Sequence, residues 1–417
     1  MRLLLNLLLS PLILIFASKS GAVERAAVLP KGVHYATLRT AQVNQVSQKF
    51  DSSGMLKNQG DFYTVNMDLP KLMSFLKPDK KAELQKLVDV LNQSGRSELG
   101  EKMNLGQLKV EIQPDLKYTA PVFARGLTER FTLGVAFPVI QYSIDLKLSQ
   151  LGSNIPQLQQ EMRSLAEASP ELEAGLNTVA QDLVGSLHQV VAEKGYRKLQ
   201  SRKDTFLGDI QIVGLYQFLK TDRWSSVVKS TVILPTGPRD DPDDLTDVTS
   251  QHQTGLGATL IQDYLVLSKT TVGLSAGYLA RLPDQAEKRV PLNEGDILPD
   301  ADRKETLQRD LGDTVTLGFG ASHKLSDEFE LSAGYEVGQK AADRYQGGRG
   351  YNYDLLSRNS SQSWQKVMAG LEYSTVTGFL RKLNSVPYGV AYDYSDLIAG
   401  RNIEKMQIHE VSFKLFF

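Results

Sequence analysis

Five stretches of this chain alternate apolar and polar residues with a period of two. In RFTLGVAFPVI (130–140), Phe131, Leu133, Val135, Phe137 and Val139 fall on one side and Arg130, Thr132, Gly134 and Ala136 on the other. GDIQIVGLYQF (208–218), DTVTLGFGAS (313–322), EFELSAGYEV (328–337) and KVMAGLEYS (366–374) repeat the pattern. Such a period places each set on one face of an extended strand. Twelve segments read this way: 33–47, 107–124, 130–148, 207–219, 224–235, 254–267, 269–282, 310–324, 328–343, 361–375, 379–394 and 403–417. Their connections alternate in length. The junctions at 126–130, 220–224, Ser268 and 324–329 are tight, whereas 48–106, 149–206, 236–253, 283–309 and 344–360 are long. An even number of strands with short turns at one rim and long loops at the other predicts a transmembrane antiparallel β-barrel of the outer-membrane kind.

The last residues, EVSFKLFF (410–417), carry no polar tail, although chain ends are normally frayed and polar. Val411, Phe413, Leu415 and Phe417 fit a final strand whose outer row meets lipid and whose aromatic end sits in the interfacial girdle. These four residues resemble the C-terminal signal read by the bacterial barrel assembly machinery, which makes that machinery and outer-membrane lipid the expected partners. At the other end, Leu3 to Ala17 form an apolar run after Arg2, followed by Ser20, Gly21 and Ala22. That order predicts a secretory signal over 1–22, with the barrel over 23–417. The apolar run is shorter than the about 20 residues a membrane-crossing helix needs.

Composition narrows the chemistry. The chain has 417 residues, a net charge of -1 and no Cys. The balanced charge gives no electrostatic case for nucleic-acid binding, and disulfides, thiolate metal sites and cysteine nucleophiles are excluded.

If the apolar rows meet lipid, the opposite rows line the lumen. This predicts an inner wall carrying Lys109, Glu111, Asp115, Lys117, Arg130, Asp209, Gln211, Lys229, Glu330, Glu336, Lys366, Glu372, Glu410 and Lys414. Charges of both signs facing inward require either water or ion pairing. Both an open solute channel and a closed barrel laced by salt bridges satisfy that requirement.

Two long loops read as helical insertions, at about 69–96 and 152–203. In 170–194, Leu172, Leu176, Val179, Leu183, Leu187 and Val190 recur at helical spacing, with Pro170 in the first turn and Gly195 at the end. In 78–92, Leu84, Leu87, Val88 and Leu91 form a second stripe. These helices are expected over the extracellular mouth, as a lid, a capture site or a passive cap.

No cofactor motif is present, and the five His residues show no metal-ligand spacing. The one weak candidate for a metal is RDDPDDLTD (239–247), where Asp240, Asp241, Asp243, Asp244 and Asp247 could offer oxygens to calcium. It lacks the Gly and terminal Glu of an EF-hand, so a solvated acidic loop is the simpler reading. His252, close to Ser250, is the only pair suggesting hydrolytic chemistry.

Five stretches, three of them overlapping those above, resemble, in order, segments of a family of predicted outer-membrane transporters linked to the meta-cleavage pathway of phenol degradation. They are GLTERFTLGVAFPV, LGDIQIVGLYQFL, STVILPTGPRDDPDD, QTGLGATLIQDYLVLSK and KLSDEFELSAGYEVG. The resemblance covers roughly 105–340 and the C-terminal strand, and is related in general form to fatty-acid-transporter barrels. It implies uptake of small, often hydrophobic or aromatic compounds, and it assigns no ligand-binding residues. The chain departs from the fatty-acid type in having only about ten residues between the expected cleavage point and the first strand, too few for that type's N-terminal plug. The expected function is therefore passive passage of a small-molecule solute across the bacterial outer membrane. A barrel hydrolase of phospholipase or protease type, and a structural or adhesive barrel, are the alternatives.

Overall fold

In the computed structural model the described residues are 24–62, 64–68, 104–154 and 183–417, with isolated positions between 70 and 89 and at 157 and 160. The expected signal segment, most of the helical insertion at 69–96 and half of that at 152–203 lie outside the described residues.

Twelve antiparallel strands close into a barrel. They are β1 (His34–Asn44), β2 (Asn104–Thr128), β3 (Phe131–Ala136), β4 (Gln211–Lys220), β5 (Trp224–Ile233) and β6 (Gly255–Leu267), then β7 (Thr270–Arg281), β8 (Thr314–Lys324), β9 (Phe329–Lys340), β10 (Gln362–Ser374), β11 (Tyr388–Arg401) and β12 (Gln407–Phe416). Each pairs with its neighbours in sequence order, and β1 closes the ring by pairing with β12 from Tyr35↔Phe416 to Asn44↔Gln407. Closure satisfies every wall hydrogen bond without leaving an edge, which is what a strand-built protein must achieve in lipid.

The outer surface is apolar. Leu38, Phe123, Leu133, Leu260, Leu274, Leu317, Phe319 and Phe413 are among the large side chains exposed on it. At the rim that holds the start of β1, the end of β12 and the short turns, Phe329, Tyr373, Tyr388 and Phe413 form a continuous row on β9 to β12. Their ring centroids lie 5.1, 6.1 and 6.1 Å apart in succession. An apolar belt with an aromatic girdle marks the bilayer boundary, and the short-turn rim is the periplasmic one. No helix among the described residues is long and apolar enough to cross a membrane. The chain is a membrane-spanning β-barrel of the outer-membrane kind.

One expected strand begins late. The segment 379–394 does not begin a strand at 379, because β11 starts at Tyr388. Residues 375–387 form the longest periplasmic connection, with a short helix Val376–Leu380. Thr375 clasps both ends of it, donating from Oγ1 to Val386 O at 2.8 Å and accepting from Tyr388 N at 2.9 Å. Phe379 and Leu380 of that helix, and Leu383 after it, are exposed.

The wall does not have uniform height. β2 runs for 25 residues, well beyond the about 9–11 that a tilted membrane strand needs. Its second half pairs with β1 and β3, and its first half pairs with a strand Val139–Leu151 that continues β3 beyond a break. The break is at Phe137–Pro138, where proline lacks the N–H that a central ladder requires. Strands Arg202–Leu207 and Val65–Asp68 flank this extension. A four-stranded wall therefore stands above the membrane on one side.

Candidate functional site: the barrel lumen

Inward and outward rows follow directly from burial and register. In β1, Thr37, Arg39, Ala41 and Val43 are buried while Leu38 and Thr40 are exposed. In β12, Ile408, Glu410, Ser412 and Lys414 are buried, and Val411 and Phe413 face outward with the terminal Phe417 exposed. Gln211, Lys229, Glu330, Glu336, Lys366 and Glu372 lie on the inward rows with Glu410 and Lys414, and Asp209 is buried at the upper end of β4.

Five of the expected lumen residues lie elsewhere. Lys109, Glu111, Asp115 and Lys117 share the odd-numbered face of β2 with Phe123 and Leu127, opposite the buried Leu108, Val110, Ile112, Leu116 and Tyr118. Arg130 is exposed in the periplasmic turn between β2 and β3. The error on β2 has one cause. In its lower half the outside is lipid, so the outward row is apolar. In its upper half the outside is water, so the charged row faces out and the apolar row turns inward. Lys109 and Glu111 accordingly pair with each other at 2.6 Å on the outside.

The inward charges on β1 and on β9 to β12 form ion pairs. Arg39 Nε meets Glu410 Oε1 at 2.7 Å, with both side chains buried. Lys366 lies 2.9 Å from Glu336, which also accepts from the Trp364 indole at 3.2 Å. The ring of Trp364 packs against Gly338, where an added Cβ would sit 2.0 Å from it, so glycine is required there. Lys414 meets Glu372 at 2.8 Å.

The segment 24–30 lies inside the lumen, which the count of residues before β1 did not anticipate. Glu24 pairs with Lys229. Arg25 reaches Asp263 at 2.9 Å, Glu330 at 2.7 Å and Ser322 Oγ at 2.8 Å, so it bridges β6, β8 and β9. Ala26 N donates to Asp263 at 3.0 Å, and Leu29 N donates to Thr132 Oγ1 at 2.8 Å. Ala26 packs with Val227 and Ile261, flanked by Val28 and Leu215. The segment leaves past Gly126, where a Cβ would lie 2.0 Å from Pro30 O. About ten residues suffice as a strap across the lumen, although they could not form a domain. Beside the strap, the inward positions Ser275, Gly277, Thr316, Gly318, Ser332 and Gly334 are small and only partly covered.

The extracellular mouth is narrowed by the loop 234–254. Asp209 holds it, accepting from Gly237 N at 3.0 Å, Ser250 Oγ at 3.1 Å and His252 N at 3.2 Å. Burial raises the pKa of this carboxyl above its ordinary value despite these donors. Val248 of the loop joins the apolar inner wall formed by Ala41, Val43, Leu116, Tyr118, Ile140 and Ile408. Helix α1 (Leu183–Glu193), within the second insertion, packs Leu187, Val190 and Val191 with Leu146, Leu148, Tyr196 and Leu245 over the same mouth.

The acidic stretch 239–247 is tied up by cations. Asp241 and Asp244 face Arg197 at 2.7 and 3.7 Å, Asp244 and Asp247 face Arg202 at 2.7 and 3.4 Å, and Asp240 pairs with Lys288. Asp243 meets Arg289 at 2.6 Å and Lys304 at 3.0 Å. Burial would raise the Asp243 pKa, but the hydrogen bonds from Lys304 and Arg289 outweigh it and the net shift is downward. No group of three or more potential metal ligands occurs among the described residues. The carboxylates that suggested calcium anchor the loop to the wall.

Ser250 and His252 do not form a catalytic pair. His252 Nδ1 is 2.5 Å from Gly237 O, and its Nε2 is 2.8 Å from Arg239 Nε. A carbonyl can only accept and a guanidinium can only donate, so the ring carries its proton on Nδ1 and its Nε2 lone pair is engaged. The Ser250 hydroxyl donates to Asp209 instead. Neither ring nitrogen can take a proton from it.

No family model matches the sequence, and no curated protein does. Among solved structures, the COG4313 outer membrane channel from Pseudomonas putida F1 matches with a TM-score of 0.52 at 8% identity, covering 95% of this chain and 100% of that one. The P. putida toluene transporter TodX (TM-score 0.33, 10% identity, 93% of this chain and 91% of that chain) is far weaker. So is the NanC porin (TM-score 0.33, 8% identity, 73% and 97%). The first of these likenesses is one of fold, and the fold it shares with this chain is the outer-membrane barrel.

Proposed function

We propose that this barrel is a passive outer-membrane channel for small molecules, with apolar or aromatic compounds as the class it favours. One observation carries the reading: on the side of β1, β2 and β12 the upper inner wall is apolar. Ala41, Val43, Leu116, Tyr118, Ile140 and Ile408 turn inward where water lies outside, and Val248 of the mouth loop packs on them. A barrel serving only as a rigid wall has no need to invert its faces there. Below this shelf the lumen changes to small and ion-paired residues crossed by the strap 24–30, so solute would pass from an apolar entrance to a gated polar exit. That the fold match bears the name of an outer membrane channel supports the same reading, as does the sequence resemblance to transporters linked to aromatic catabolism. The purified protein in planar bilayers should conduct ions in small steps, and liposomes containing it should admit small aromatic solutes faster than sugars of similar size. A barrel that neither conducts nor accelerates entry of any solute would remove the channel reading.

A further inference from the structure

We propose that the outer wall carries a binding site for an anionic glycolipid of the outer leaflet, the diphosphorylated lipid A type, at the extracellular end of β8 to β11. Two cross-strand rungs build it. The upper rung runs Val315–Gln339–Ser363–Arg401 and the lower one Leu317–Val337–Gln365–Ala399, each step a directly paired neighbour on the outward face. Small residues at Ser363, Ala399 and Gly400 beside longer ones leave a hollow of 570 Å³. It continues downward, through the shared Leu317 and Val337, into an apolar trough of 420 Å³ floored by Ala276 and Gly318 between Leu260, Leu274 and Phe319.

The chemistry is graded along this path. The trough is lined mainly by hydrocarbon, with Gln262 and Ser275 as its polar members besides Tyr335, and faces the acyl region of the bilayer. Tyr335 and Gln365, hydrogen bonded at 2.8 Å, mark its upper limit. Above them stands Arg401, exposed and without an ion-pair partner among the described residues. The hairpin Gln48–Asn58 flanks it. Asn402 N donates to Asp51 O at 3.1 Å, and the Gly54 Cβ position lies 3.9 Å from Arg401 Cγ. Met55 and Leu56 of that hairpin are exposed beside the membrane, where water would be a poor neighbour for them. A guanidinium above an apolar trough at the headgroup level matches a ligand with a phosphate at one end and acyl chains at the other. In the outer leaflet that ligand is lipid A. The inference rests on the outer-membrane architecture and is independent of what the lumen carries.

Native mass spectrometry of the purified barrel with added diphosphoryl lipid A tests it. The unchanged protein should retain lipid A. Arg401→Glu should bind about tenfold more weakly, the effect of losing one charge-assisted contact. Ala399→Trp, which fills the hollow without touching the charge, should also weaken retention. Both variants should keep the heat-modifiable band of a folded barrel. Monophosphoryl lipid A should bind the unchanged protein more weakly than the diphosphoryl form. Equal retention by Arg401→Glu, undiminished retention by Ala399→Trp, or displacement of lipid A by an equal amount of phosphatidylglycerol would each overturn the assignment.

Discussion

His34 and Phe417 clasp the seam of the barrel. His34 N donates to Phe417 O at 2.7 Å, Phe417 N donates to His34 O at 3.0 Å, and their rings stack with centroids 5.4 Å apart. The final residue thus completes the ladder between the last strand and the first. A charge at the membrane interface costs only about 0–1 kcal/mol, so Phe417 matters through this clasp and through its place in the assembly signal. Phe417→Asp should lower the amount of folded barrel in outer-membrane fractions on unboiled gels. Lys414→Gln, which changes an inward pair with Glu372, should assemble normally. Equal recovery of both variants would remove the role given to the terminal ring.

Arg25 is the central fastening of the strap, joining Asp263 and Glu330 across the lumen. Arg25→Ser should release it and raise single-channel conductance in planar bilayers. Lys31→Ser, at an exposed position outside the lumen, should not. Unchanged conductance in Arg25→Ser would mean that the strap does not limit flow.

The Arg39–Glu410 pair holds β1 to β12 from the inside. Removing one partner of a buried pair leaves an uncompensated charge, a loss of about 3–5 kcal/mol. Glu410→Gln should therefore lower the temperature at which the folded band disappears, and Arg39→Met with Glu410→Leu should restore much of it. A double variant no better than the single one would show that the pair's worth lies in more than charge balance.

Ser250 should be inert. Its hydroxyl donates to Asp209 and the His252 ring is held by Gly237 and Arg239. A fluorophosphonate probe should leave the folded protein unlabelled. Labelling that disappears in Ser250→Ala would restore the hydrolase alternative.

The mouth loop should loosen only in strong acid. The Asp243 pKa is depressed in the fold by Lys304 and Arg289 against the opposing effect of burial. Its stabilisation is present above the ordinary carboxylate range and is lost as pH falls through the depressed value. Asp247 behaves oppositely: burial raises its pKa, so its ionisation works against the fold as pH rises through that value. Single-channel conductance should stay level from pH 7 to 5 and rise only below about pH 4. Asp243→Asn should remove most of that rise. An opening near pH 6 would point to a histidine instead.

The sequence determined the barrel, its even strand count, the asymmetry of its rims and the facing of β12, because a period of two and the lengths of turns are local properties. Val411, Phe413 and Phe417 could be placed outward without any knowledge of their neighbours. Tertiary structure decided the rest. On β2 the odd-numbered row keeps to the outside, yet Phe123 faces lipid while Lys117 on the same row faces water. Which medium lies outside depends on how far the strand stands above the bilayer. A strand too long for the membrane was the available signal. The strap was not legible, since Glu24 and Arg25 look like any charged pair near a chain end until Lys229, Asp263 and Glu330 converge on them. The aspartates of 239–247 likewise acquired their meaning only when Arg197, Arg202, Lys288, Arg289 and Lys304, distant in sequence, were folded onto them. Period fixes which residues share a face; closure of the ring decides what each face meets.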